Sequence, residues 1–117
     1  MNIERLRDYC LSKPAVKEDF PFDETTLVFK VAGKMFALTD LEGDLSINLK
    51  CDPERATSLR EQYPAILPGY HMNKKHWNTI LIDGSVDISL LLELIDHSYA
   101  LVVSSLPLKV RSQLGVL

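Results

Sequence analysis

Two short turns place the tightest limit on how this chain can fold. Between Thr25 and Lys50, three segments of alternating side chains (Thr25 to Val31, Lys34 to Asp40, Asp44 to Lys50) are separated only by Ala32-Gly33 and by Leu41-Glu42-Gly43. Connections that short force antiparallel neighbours, because a parallel pair needs a crossover of roughly a dozen residues or more. Counting outward from the turns pairs Val31 with Lys34, Phe29 with Phe36 and Leu27 with Leu38, then Leu38 with Ile47 and Phe36 with Leu49. That register gathers the large apolar side chains on one face, as a half-buried sheet requires. The opposite face is expected to carry Thr26, Thr39 and Ser46, then Val28, Ala37 and Asn48, then Lys30, Met35 and Lys50.

Helices flank these strands. Asn2 can cap a first helix in which Ile3, Leu6, Tyr9 and Cys10 recur at helical spacing, and Pro14 ends it. Phe20-Pro21-Phe22 follows as a loop whose aromatics are expected to plug the core edge. Asp52-Pro53-Glu54 combines a capping carboxylate, proline at the first helical position and an acid in the first turn, so a second helix starts there with Ala56, Leu59 and Tyr63 inward. Ala65 to Met72 and Trp77 to Asp83 read as two more strands, the first interrupted by Pro68 and Gly69. From about Asp87, Ile88, Leu91, Leu92, Ile95, Tyr99 and Val102 mark a long helix, widened by Leu90, Leu94 and Leu101. Pro107 ends it or begins a last short helix. The order is α-β-β-β-α-β-β-α: a single α+β domain over residues 1–117, with an antiparallel sheet of about five strands and its helices on one face.

A chain of 117 residues has room for one core and needs no crosslinks to hold it. The net charge of −3 argues against a dedicated polyanion binder, though a local basic patch acts independently beyond about 8 Å at physiological salt. Cys10 and Cys51 cannot form a disulfide framework and are expected to stay reduced, which suits a cytoplasmic location. The N-terminal stretch reads as an amphipathic helix rather than a secretory leader, and no apolar run approaches the ~20 residues that span a bilayer; no membrane association is expected.

One segment differs from the rest. Pro68 to Trp77 holds two of the three histidines, adjacent lysines and the sole tryptophan, with no acid. Such interleaving fits a phosphate-contacting turn beside a stacking platform; the alternative is a solvated turn whose Trp77 anchors the core, and a lone tryptophan in a small domain is usually buried. His71 and His76 lack the partners a zinc site of about four ligands needs, and no phosphate loop or catalytic triad is present, so neither metal nor cofactor is expected. Asp19, Asp23 and Glu24 form the one local acidic cluster, which reads as solubility.

The run Asn48-Leu49-Lys50-Cys51-Asp52-Pro53-Glu54, the stretch Pro68 to Thr79, and Asp83-Gly84 ahead of a helix containing Ser98-Tyr99 resemble the MmcQ/YjbR-like proteins. The resemblance spans nearly the whole chain. It implies a two-layer α+β fold similar to type III secretion chaperones and to the N-terminal domain of a competence regulator. It also implies DNA binding, since family members have been described so through likeness to a double-wing DNA-binding domain. Carried onto this sequence, the family pattern singles out Lys50, His71, Asn73, Lys74, His76 and Trp77; Asp23 stands where glycine is the family expectation, which bears on loop shape.

The expected function is therefore a small non-enzymatic module binding DNA through Lys30, Lys50, His71, Asn73, Lys74, Lys75, His76 and Trp77. The alternative is a protein-docking or dimerising module, suggested by the acidic total and by Val28, Met35 and Ala37 on an otherwise polar sheet face.

Overall fold

In the computed structural model, which describes residues 1–70 and 72–115, the chain forms a six-stranded antiparallel sheet with helices on one face. The elements are α1 (Ile3–Leu11), β1 (Val16–Asp19), β2 (Thr26–Val31), β3 (Lys34–Asp40), β4 (Ser46–Lys50), α2 (Pro53–Gln62), β5 (Ile66–Pro68), β6 (Trp77–Leu81), α3 (Ile88–Ser104) and α4 (Leu108–Leu114). Strand order is β1-β2-β3-β4-β6-β5. The α+β class and the expected helix starts hold. Asn2 accepts the Arg5 N–H at 2.9 Å, Asp52 accepts that of Arg55 at 3.1 Å, and Pro53 opens α2.

The sheet has one strand more than expected. β1 is four residues long and three of them are charged, so it shows almost no apolar alternation; its ladder to β2, from Val16↔Val31 to Asp19↔Val28, makes it a strand. Charge along an edge strand also discourages pairing with another chain. β5 is shorter than Ala65 to Met72: it stops at Pro68, which cannot donate to a ladder.

The Ala32-Gly33 hairpin forms with φ of 51° and 77°, both positive as a two-residue type I′ turn requires. The expected register holds at Val31↔Lys34 and Lys30↔Met35 and then fails. A β-bulge inserts Phe36, so Phe29 pairs with Ala37 and Val28 with Leu38, while Ala37 faces Leu49 and Leu38 faces Asn48 on β4. The faces of β3 exchange accordingly. Phe36 and Ala37 enter the helix-side core, and Leu38 joins Val28 and Trp77 on the face without helices. A bulge places two successive side chains on one side, which counting from turns cannot anticipate.

Ser98 of α3 fills the gap left by the bulge. Fully buried, it donates to the Phe36 carbonyl at 2.6 Å and accepts the Lys50 N–H at 2.9 Å, bridging the edges that β3 and β4 do not join directly. Around it lies the main core: Leu6 and Cys10 of α1, Ala56 and Leu59 of α2, and Leu91, Leu94, Ile95 and Val102 of α3 against Phe29, Val31, Phe36, Ile47, Leu49 and Ile80. Ile88, expected inward, is exposed at the first residue of α3. The α1–α3 contact is polar at its rim. Tyr9 donates to Asp96, Lys13 pairs with the same carboxylate and lies within 5.4 Å of the Tyr9 and Tyr99 ring centroids, and Tyr99 donates to the Pro14 carbonyl. Both cysteines are buried and unpaired; burial pushes the Cys10 thiol up to about 12 and raises that of Cys51, which keeps both unreactive.

Candidate functional site

The basic loop is a compact turn packed on the sheet. Gly69 donates to the Trp77 carbonyl at 2.8 Å, and a Cβ at Gly69 would come within 2.8 Å of the Trp77 Cβ, so only glycine allows the strand to pass there. Asn73 organises the crest: its side chain accepts the Lys75 N–H at 2.9 Å, and its carbonyl accepts His76 at 3.1 Å and Trp77 at 2.9 Å. Lys74 and Lys75 are exposed. His71 lies outside the described residues. Trp77 is 8% exposed, covered by Met35 and Met72 beside Val28 and Leu38, so it anchors a small second cluster and offers no ring face to a base.

The lysines do not share one environment. Lys30 pairs with Asp19 at 3.6 Å, a partner that β1 brings alongside. Lys50 is opposite Trp77 in the β4–β6 ladder. Lys75 lines a shallow cleft against α2 with Pro53, Glu54, Thr57 and Arg60, where an acid and a second cation attend it. Among the described residues, Lys50, Lys74 and Lys75 form no ion pair.

The segment leaving β4 is tied down by three consecutive N–H groups with three different acceptors. Lys50 donates to Ser98, Cys51 to the His76 carbonyl at 2.7 Å, and Asp52 to His97 Nε2 at 3.2 Å. The residues that carry the family resemblance are thus occupied in holding the β4–α2 junction against α3. Because His97 Nε2 accepts a hydrogen bond, it is unprotonated. Burial first, then the Arg55 guanidinium, lowers its pKa, against the opposite pull of Glu93 and Asp52. Between that lowered value and the ordinary one of about 6.5, the unfolded chain binds more protons than the folded chain, so stability rises with pH across that interval. The contribution is complete above about pH 6.5 and fades on acidification towards the folded value. Glu18, Asp23 and Asp83, held below the usual carboxylate range by Arg7, by Thr25 and Thr26, and by Ser85, act in a lower pH window. His97→Gln keeps an acceptor without the titration; its melting temperature is expected to fall less than that of the wild type from about pH 7 to about pH 5. Equal falls would remove His97 from this account.

A second concavity lies elsewhere, on the helix-free face. A groove of about 790 Å³ runs over the far half of the sheet, floored by Leu38, Asn48 and Thr79 and walled by Phe22, Leu67, Tyr70 and Met72. Phe22 is 64% exposed, Leu67 42% and Tyr70 71%. The expectation that Phe20 and Phe22 plug the core edge is therefore corrected. Asp23 accepts the Thr25 and Thr26 N–H groups, which closes the loop early and turns Phe22 to the groove side. The floor's polar groups largely satisfy one another, with Tyr70 N donating to Thr79 and Thr79 to Asn48. Sequence reading missed Phe22, Leu67 and Tyr70 as a group, because they come from three separate segments; the available signal was a pair of aromatics set among acids at Phe20 to Glu24.

The YjbR family model matches residues 11–101. The chain belongs to the YjbR family. Its similarity to the Escherichia coli K12 protein YjbR is 36% identity over 115 residues, 97% of this chain and 98% of that one. To YbdF of Escherichia coli O157:H7 it is 41% over 104 residues, covering 88% and 85%. The crystal structure of Deinococcus radiodurans DR2400, a DUF419 domain, superposes with a TM-score of 0.95 at 46% identity, over 99% of this chain and 89% of that one. A crystal structure from Pseudomonas syringae gives 0.76 at 34% identity, over 86% and 98%. Membership of the YjbR family thus agrees with the two-layer architecture. Among the described residues, no helix is long and apolar enough to cross a membrane.

Proposed function

We propose that this YjbR-family chain is a protein-docking module that receives a partner segment on the helix-free face of its sheet. The observation that supports this reading is the groove of about 790 Å³ lined by exposed Phe22, Leu67 and Tyr70. Apolar side chains grouped in a concavity are the usual mark of a binding site. A small-molecule site would add several convergent, unpaired polar groups for orientation; here the Thr79 hydroxyl and the Asn48 side-chain oxygen are bonded to each other, so few polar groups of the floor remain spare. Exposed apolar walls around such a floor suit a polypeptide.

Nucleic-acid binding is the second reading, favoured by Lys50, Lys74 and Lys75 being free of ion pairs among the described residues. It gains nothing from Trp77, which is enclosed, or from Lys30, which Asp19 neutralises in part.

One pair of variants separates the two. Phe22→Ser with Leu67→Ser alters exposed positions and is expected to leave stability within about 1 kcal/mol. Short linear peptides selected by display against the wild type are expected to lose about 30-fold or more in affinity for this variant, the scale of an interface hot spot, and to be indifferent to Lys74→Ala with Lys75→Ala. Fluorescence anisotropy with labelled duplex and single-stranded DNA is expected to show no salt-sensitive binding. DNA binding that weakens linearly with log salt and disappears in the lysine variant, with no groove-dependent peptide, would reverse the assignment.

A further inference from the structure

We infer that the segment received by the groove is basic: an extended stretch of a partner protein in which Lys or Arg accompanies apolar residues. This rests on the docking reading above and adds the chemistry of the occupant.

The groove is lined by Asp23 and Asp40 and by no lysine, arginine or described histidine. Its open end is bounded by two loops joined through the Leu41 N–H and the Thr25 carbonyl at 2.8 Å. These loops carry Glu24, Glu42 and Asp44 in addition, all exposed. None of these five acids is in an ion pair among the described residues. The cations of the same face are at its other end. Lys30 is four residues along β2 from Thr26, the partner of Asp40, and Lys50 four along β4 from Ser46, roughly 13 Å at about 3.4 Å per residue and beyond the Debye length of about 8 Å, so they compensate the acids poorly. With the whole chain at −3, an anionic ligand is repelled from this groove and a cationic one attracted.

The floor adds a backbone requirement. Asn48 uses its side-chain oxygen for Thr79, and its amide nitrogen takes no partner among the described residues, leaving a donor for a ligand carbonyl. An extended segment supplies that carbonyl. It also sends alternate side chains, about 6.8 Å apart, to the apolar floor and to the carboxylate rim.

The test uses the intact chain and the display-selected peptides. Those that lose affinity on Phe22→Ser with Leu67→Ser are expected to be enriched in Lys and Arg. Replacing their cations by Gln is expected to weaken binding about tenfold or more at low salt, with Glu weaker still. Asp40→Asn with Glu42→Gln removes two rim charges while the amide oxygen introduced at position 40 can still accept the backbone N–H that Asp40 now holds. This variant should remove most of the difference between cationic and Gln peptides, as should salt near 1 M, where the Debye length is about 3 Å. Groove-dependent peptides that bind equally well with Gln overturn the basic occupant and leave docking intact. Recovery of no groove-dependent peptide overturns both. Sedimentation of the protein alone is expected to show a monomer; a dimer abolished by the Phe22 and Leu67 changes would make a second copy the occupant and overturn the inference.

Discussion

Phe36→Ala is expected to cost the folded state about 4 kcal/mol, within the 3–5 kcal/mol typical of emptying a buried aromatic site. The side chain is fully buried and meets the Tyr99 ring edge-on at 5.3 Å, with an interplanar angle of 84°. It is also the inserted residue of the bulge, held between β2 and α3 where the backbone is already committed, so the cavity has little room to collapse. Edge-to-face packing adds about 1 kcal/mol beyond area. Phe22→Ala is the internal control: the same deletion at a position 64% exposed should change stability by about 0.5 kcal/mol or less. Urea denaturation of both variants reads the contrast directly. A loss at Phe36 no larger than at Phe22 would mean that the bulge does not turn this ring into the core. Since small domains are stable by only about 5–15 kcal/mol, the first variant is expected to be close to unfolding at physiological temperature.

Ser98→Ala is expected to cost about 3 kcal/mol through polar atoms rather than volume. Serine supplies both a donor and an acceptor at one buried point, and its removal leaves the Lys50 N–H and the Phe36 carbonyl without their bridge. An orphaned buried group costs about 1–3 kcal/mol, and two are created together. The melting temperature should fall by on the order of 10 °C. Ser104→Ala, on the same helix but exposed and bonded only to the Leu101 carbonyl, should fall by about a tenth of that or less. Similar losses at the two serines would show that water or a backbone shift closes the bulge without help from α3. The prediction also reaches function, because Lys50 begins the segment that fixes the start of α2 and the base of the basic turn.

Much of the architecture was legible from local pattern. Asn2 and Asp52-Pro53 start their helices as read, and the Ala32-Gly33 turn and the alternation of Ile47 and Leu49 place β2, β3 and β4. What escaped was non-local. β1 is a strand only because β2 offers it a ladder. The carbonyl of the bulged Phe36 is met by Ser98, 62 positions away in the chain. Both features moved the candidate site. β1 brought Asp19 to Lys30, and the bulge sent Leu38 rather than Ala37 to the helix-free face, where it floors the groove.

The α+β class, the helix starts and the composition of the basic turn were determined by the sequence alone, because caps, tight turns and side-chain periodicity are short-range effects that neighbouring residues enforce on one another. Which cations stand free, which aromatics stay in water and where the groove lies were decided by tertiary structure. Those properties depend on distances between segments far apart in the chain. Phe22, Leu67 and Tyr70 meet around Asn48 only after six strands have paired.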